Sequence, residues 1–189
     1  MRKLVSLMHI SLDGYAAGPN GELEWAIVDK ETSSFVDDFM KSVDTAIYGR
    51  ITYQMMKGYW PTVPSNPEST QHDLDHSRWV ENLTKVVFSR TLDAVDWNNT
   101  TLVRDHYADA INSLKRQEGG DIMIFGSPRL VHVLAQDGLI DEYVINLNPL
   151  LLGGGTPLIK DIQGSAPLKL VTAKPFHSGV IGLHYQSAG

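Results

Sequence analysis

Short apolar runs alternate with helix-spaced segments over most of this chain, and turn residues separate them. Residues 3–10 read as a first strand, followed by the turns Ser11-Leu12-Asp13-Gly14 and Gly18-Pro19-Asn20-Gly21. Phe35, Val36, Phe39, Met40 and Val43 recur at helical spacing, which predicts a helix over about residues 31–42. A strand at 44–48 leads through a glycine turn into a short helix through Met55 and Met56. Pro61, Pro64 and Pro67 mark 59–70 as a surface loop, and 72–83 reads as a helix before the strand Lys85-Val86-Val87-Phe88. A short strand near 100–103, a helix over about 108–117 and a strand at 121–125 come next. Ser127 then stands as N-cap and Pro128 as the first residue of a further helix. Leu130, Val131, Val133 and Leu134 form its buried side, and Gly138 ends it.

From Asp141 the pattern changes. Tyr143-Val144-Ile145-Asn146-Leu147, Leu168-Lys169-Leu170-Val171 and Val180-Ile181-Gly182-Leu183-His184-Tyr185 read as strands with no helix between them long enough to be a crossover. The whole predicts one α/β domain over residues 1–189. Its centre is a mixed, mostly parallel sheet of about eight strands flanked by helices, with antiparallel strands at the C-terminal end.

Composition narrows the function classes. With 42% apolar and 20% charged residues the chain has the balance of a globular domain rather than a disordered one. A net charge of −6 argues against non-specific nucleic-acid binding. The absence of cysteine removes disulfides, thiol nucleophiles and cysteine-ligated zinc. The first segment, broken by His9 and Asp13, reads as a strand and not a signal peptide, and no stretch has the length of a membrane span. The expectation is a soluble cytoplasmic protein with no membrane or nucleic-acid partner.

Two turns carry the chemistry. Gly49-Arg50-Ile51-Thr52 and Gly126-Ser127-Pro128 each follow a buried strand and open a helix. Glycine lets a ligand approach the backbone closely, and the free N–H groups of a helix start favour an anion. Arg50 can fork two hydrogen bonds to a phosphate, and Thr52 can donate a hydroxyl. Ser89-Arg90, at the end of the intervening strand, adds a second hydroxyl and guanidinium. Each of the three alone is equally compatible with ordinary helix-start or strand-end punctuation. Together they lie at the C-terminal ends of successive strands, where open α/β sheets bind ligands, and they suit a phosphate-rich dinucleotide.

Six segments in order resemble a known family: Ser11-Leu12-Asp13-Gly14, Tyr48-Gly49-Arg50-Ile51-Thr52-Tyr53, Val87-Phe88-Ser89-Arg90-Thr91-Leu92, Ile124-Phe125-Gly126-Ser127, Gly138-Leu139-Ile140-Asp141-Glu142 and Pro149-Leu150-Leu151-Leu152-Gly153-Gly154-Gly155. They resemble the dihydrofolate-reductase-like superfamily, in the branch of the reductase domain of bacterial riboflavin biosynthesis, over about residues 3–186. The resemblance implies NADPH binding and hydride transfer to a C=N or C=O bond of a small heterocyclic (pterin- or pyrimidine-like) or carbonyl substrate. It also implies a homodimer. By the same resemblance Gly49, Arg50 and Thr52 would hold cofactor phosphates, and Ser89 and Arg90 would flank the adenosine 2′-phosphate. Gly126 and Ser127 would cradle the pyrophosphate, while Gly153 and Gly154 pass near the nicotinamide. Phe125 stands where riboflavin-pathway reductases tend to carry an acidic residue, a departure from the pattern of 5-amino-6-(5-phosphoribosylamino)uracil reductase.

Candidate catalytic groups are Asp13, Asp29 and Glu31. A buried carboxylate at 29 or 31 would keep a raised pKa and supply the proton that accompanies hydride, and the alternative is a pair that only favours a helix N-terminus. Asp13 would orient substrate or nicotinamide, or form an ordinary turn before Gly14. Trp25, Phe35 and Phe125 are the candidate pocket walls. His72 and His76, at i and i+4, have no third ligand nearby, so no metal site is expected. A reading outside enzymology stays open: a protein of this fold that binds a nucleotide or small ligand without turning it over.

Overall fold

The computed structural model describes residues 1–188. Strand β1 (Leu4–Ser11) and the short β2 (Tyr15–Ala17) precede helix α1 (Lys30–Met40). Strand β3 (Val43–Gly49), helix α2 (Arg50–Tyr59), a 3-10 helix (Trp60–Ser65), α3 (Gln71–Asn82) and β4 (Thr84–Phe88) follow. Next come β5 (Thr100–Val103), α4 (Tyr107–Arg116), β6 (Asp121–Phe125) and α5 (Pro128–Gln136). The chain finishes in β7 (Glu142–Asn148), β8 (Thr156–Pro157), β9 (Leu168–Pro175) and β10 (Ile181–Ser187).

Eight strands form one sheet in the order β5-β4-β3-β6-β1-β7-β10-β9. The run from β5 to β7 is parallel, and β10 and β9 close the sheet antiparallel, as the loss of crossover helices after Asp141 predicts. Period-two alternation sorts the side chains. In β6, Ile122 and Ile124 join one core layer with Ile111 of α4 and Val131, Leu134 and Ala135 of α5. Met123 and Phe125 join the opposite layer with Phe35 and Met40 of α1, Tyr53 of α2 and Val80 of α3.

Three local readings change. The proline-rich stretch is not plain loop: Pro61, in the first turn, favours the 3-10 helix, which buries Val63. Ser77 Oγ ties that turn to α3 by donating to the Trp60 carbonyl at 3.0 Å. The pairing of β2 with β8 is also new; two- and three-residue strands leave no periodic signal. In α5, Ala135 rather than Leu130 or Val133 completes the fully buried stripe with Val131 and Leu134.

At the edge of the sheet opposite the glycine turns, Glu142 is buried and accepts hydrogen bonds from Lys3 Nζ (2.7 Å), His184 Nε2 (2.9 Å) and Gln186 Nε2 (3.1 Å). Burial by itself raises this carboxyl's pKa, and the Lys3, His184 and Gln186 donors outweigh it, so the group is held below its ordinary value. Glu142→Ala is expected to cost about 2 kcal/mol at pH 7, from lost charge-assisted hydrogen bonds and stranded donors. Because the folded pKa is depressed, that stabilisation is full above the ordinary carboxylate pKa and is lost as pH falls through the lower folded value. Urea unfolding of both proteins from pH 7 to pH 3 measures it, as a gap that narrows only at the acid end.

Candidate functional site

Strands β3 and β6 are neighbours, yet the helices that leave them pack on opposite faces of the sheet. That divergence opens a crevice at their C-terminal ends, the topological switch point of an open α/β sheet. Both glycine turns sit there. The Gly49 N–H donates to Ser127 Oγ at 2.9 Å, and the Ser127 N–H donates to Thr52 Oγ1 at 3.1 Å. Ser127 Oγ in turn donates to the Phe125 carbonyl at 3.1 Å. Ser127 therefore occupies the N-cap position without capping α5, because its φ of 56° aims the hydroxyl at the other turn. The Thr52 and Ser127 hydroxyls fasten the two turns together.

The helix starts remain open. Helices α1 and α3 close their N-termini with the capping boxes Asp29/Thr32 and Thr70/Asp73. Helices α2 and α5 have no side-chain cap, and neither does α4 beyond the edge strand β5. The starts of α2 and α5 lie at the crevice, where their free N–H groups and dipoles suit an anion. A Cβ built on Gly49 would lie 3.6 Å from the Ser127 side chain, an ordinary contact. The fold itself thus does not require glycine at 49, and the glycine leaves the backbone there open to close approach.

Cations flank the crevice. Arg50 is exposed, and among the described residues its guanidinium has no ion-pair partner. Register places Gly49 beside Phe88, so Ser89-Arg90 lies one strand further out in the same row. Ser89 Oγ accepts the N–H groups of Thr91 (3.2 Å) and Leu92 (3.1 Å), and exposed Arg90 lies 3.6 Å from the Asp105 carboxylate.

Asp13 ties the glycine-rich loop to the same edge. Its Oδ1 accepts the Ser11 hydroxyl at 2.6 Å and the Leu152 N–H at 3.0 Å, and its Oδ2 accepts the Gly153 N–H at 2.7 Å. The Ser11 hydroxyl first, then the Leu152 and Gly153 amides, hold its pKa at about 2. Asp13 is an ionised anchor for residues 152–153, not a proton donor.

The two expected acids, Asp29 and Glu31, are corrected. Asp29 Oδ1 accepts the N–H groups of Thr32 (2.9 Å) and Glu31 (3.0 Å), and the Thr32 amide leads in lowering its pKa. Glu31 accepts the His177 N–H at 2.9 Å and lies 3.0 Å from its Nδ1, and the backbone bond leads in lowering its pKa too. Neither carboxyl is buried, so neither is held protonated. Trp25 is half-buried and donates its indole N–H to the Glu22 carbonyl at 2.8 Å. Phe35 and Phe125 are core residues, not pocket walls. Phe35 packs edge-on against Phe39 and Phe176, and Phe125 packs edge-on against Trp79 and tilted against Tyr48, because their strand and helix faces point into the layer under α1.

His72 lies 3.2 Å from Asp37, while His76 packs on Trp60 with ring centroids 4.3 Å apart. Among the described residues no group of three potential metal ligands converges. Four polar side chains escaped the sequence reading: His9 and Ser11 of β1, and Asn146 and Asn148 of β7, paired as His9–Asn146 and Ser11–Asn148. Their signal was polarity at positions that share one strand face with Val5, Leu7 and Val144, which point into the core.

The sequence pattern of the RibD C-terminal domain matches residues 2–181. The chain belongs to the RibD C-terminal domain family. This RibD C-terminal domain is 32% identical over 190 residues to the uncharacterised protein YyaP of Bacillus subtilis, covering all of this chain and 96% of the relative. A putative riboflavin biosynthesis protein from Shewanella sp. PV-4 superposes with a TM-score of 0.74 at 22% identity, over 99% of each chain. Dihydrofolate reductase from Enterococcus faecalis, complexed with NADP(H) and RAB-propyl, superposes with a TM-score of 0.65 at 15% identity, over 99% of this chain and 97% of that one. The fold of this RibD C-terminal domain is therefore dihydrofolate-reductase-like. Among the described residues no helix is long and apolar enough to cross a membrane.

Proposed function

We propose that this protein is an NADPH-dependent reductase that delivers hydride to a small heterocyclic or carbonyl substrate. The observation that carries the reading is the meeting of two uncapped helix N-termini at the β3–β6 switch point, with unpaired Arg50 beside them. Family membership and the NADP(H) complex of the enterococcal reductase support it. NADPH supplies the hydride when bound. The chain's own part is placement. Gly49, Arg50 and Thr52 hold phosphate at the start of α2, and Gly126 and Ser127 hold it at the start of α5. Ser89 and Arg90 flank the 2′-phosphate, and the Asp13-anchored loop brings Gly153 and Gly154 to the nicotinamide end. With Asp13, Asp29 and Glu31 all held ionised, the accompanying proton does not come from these carboxyls at neutral pH.

The test is thermal stabilisation by NADPH and by NADH, followed by NADPH oxidation with pterins, pyrimidines and quinones. No stabilisation at millimolar NADPH overturns the cofactor assignment. Tight binding without turnover across the panel favours the non-catalytic alternative. Gly49→Ala separates ligand approach from folding. It should change stability by no more than about 1 kcal/mol, since the added Cβ makes only ordinary contacts. NADPH affinity should fall about tenfold or more, as a methyl group displaces a charge-assisted hydrogen bond; isothermal titration reads the second effect and urea unfolding the first.

The protein also acts, in this proposal, as a homodimer joined through β9. Every residue of β9 is exposed, including Leu168, Leu170 and Val171, and among the described residues its outer edge has no neighbouring strand. A bare apolar edge is a pairing site unless something covers it. Light scattering should give a dimer mass for the wild type and a monomer mass for Leu170→Lys.

A further inference from the structure

Strands β4 and β5 lie side by side at the edge of the sheet, and the segments that leave them are tied together. The Ser89 N–H donates to the Val103 carbonyl at 3.0 Å. The Arg104 guanidinium donates to the Leu92 carbonyl at 2.5 Å and to the Asp93 carbonyl at 2.7 Å. From the other side Ser89 Oγ accepts the Leu92 N–H. Leu92 is therefore held at both its amide and its carbonyl. The turn that carries Arg90 keeps a fixed place beside the end of β5.

That place sets Arg90 against Asp105. Arg90 Nε lies 3.6 Å from Asp105 Oδ1, beyond hydrogen-bond distance and within that of an ion pair. An acid just before a helix is commonly its cap, but α4 has no side-chain cap. His106 stands at the N-cap position instead, in left-handed backbone with φ 53°. Asp105 thus serves neither the helix that follows it nor the tie between the two strands, which runs through Ser89 and Arg104. Its partner is Arg90.

A carboxylate and a 2′-phosphate compete for one guanidinium. NADH brings no 2′-phosphate and leaves the Arg90–Asp105 pair as it is. NADPH must draw Arg90 away and set a phosphate near a carboxylate of like sign. We propose that Asp105 is a specificity-determining residue, which by competing for Arg90 holds the preference for NADPH over NADH below what Ser89 and Arg90 alone would give. This inference rests on the reductase reading and its placement of the 2′-phosphate at Ser89 and Arg90. Both side chains of the pair are exposed, so water and salt screen it and the effect is a few-fold one.

The experiment titrates NADP⁺ and NAD⁺ into wild type, Asp105→Asn, Arg90→Ala and the double variant, at about 20 mM and about 200 mM salt. Asp105→Asn should bind NADP⁺ about three- to fivefold more tightly than wild type at the lower salt, with NAD⁺ affinity within about 1.5-fold. The gain should shrink at the higher salt. In the Arg90→Ala background the same substitution should change NADP⁺ affinity by less than about 1.5-fold, because no guanidinium is left to contest. Asp105 is exposed, so Asp105→Asn should melt within about 2 °C of wild type. An unchanged NADP⁺ affinity, an equal gain for NAD⁺, or a gain that persists in full without Arg90 overturns the inference and leaves the reductase reading standing. Wild-type protein that binds neither dinucleotide overturns both.

Discussion

An Arg50→Ala/Arg90→Ala protein should bind NADPH roughly 100-fold or more weakly than the wild type. A hydrogen bond from a guanidinium to phosphate contributes about 1.5–3 kcal/mol, or about ten- to a hundredfold in affinity. Arg50 is exposed with no ion-pair partner among the described residues, so it gives the larger share. Arg90 already lies near Asp105 and must leave a partner to meet a 2′-phosphate, which discounts its share. The two substitutions also fail in different ways. Arg50→Ala should weaken NADPH and NADH alike, while Arg90→Ala should mainly narrow the preference for NADPH. Both side chains are exposed, and neither variant should move the melting temperature by more than about 2 °C. Fluorescence titration at two salt concentrations checks this, because lost phosphate contacts also flatten the salt dependence. A double variant within threefold of wild type would contradict the placement of the cofactor phosphates.

The parts of this molecule that were legible in sequence are those whose physics is local. Strand-turn-helix units announce themselves through periodicity, so the eight-stranded sheet and the change of pattern at Asp141 were readable. The glycine turns were readable for the same reason, since a helix start after a buried strand is a feature of about ten residues. What was hidden is set by partners distant in sequence. Ser127 looks like an N-cap, but its hydroxyl belongs to Gly49, across the β3–β6 crevice. Asp29 and Glu31 looked like candidate acids, but capping amides and His177 fix their ionisation. His9 looked like a break in an apolar strand. Only the register of β1 against β7 brings it beside Asn146 and shows that neither has enough partners.

Gly155→Ala should unfold the protein most readily of the substitutions at the glycine-rich loop, although the adjacent Gly154 should tolerate the same change. Gly155 has φ +129°, a conformation that side chains rarely adopt, and a Cβ there would run into the Ala17 carbonyl and the Gly18 backbone. Those atoms are main chain and cannot swing aside. Backbone strain together with the clash should cost about 3 kcal/mol or more, which lowers the melting temperature of a domain this size by about 6–12 °C. Gly154 is the internal control: its φ is unremarkable and nothing lies within 4 Å of a Cβ built on it. Gly154→Ala should therefore melt within about 2 °C of wild type. If the loop passes the nicotinamide as proposed, Gly154→Ala should still weaken NADPH binding or lower kcat, because the added methyl group enters the ligand's space and not the protein's. Equal melting temperatures for the two variants would show that the β2–β8 pairing does not hold this loop, and the Asp13 carboxylate would then be its main tether to β1.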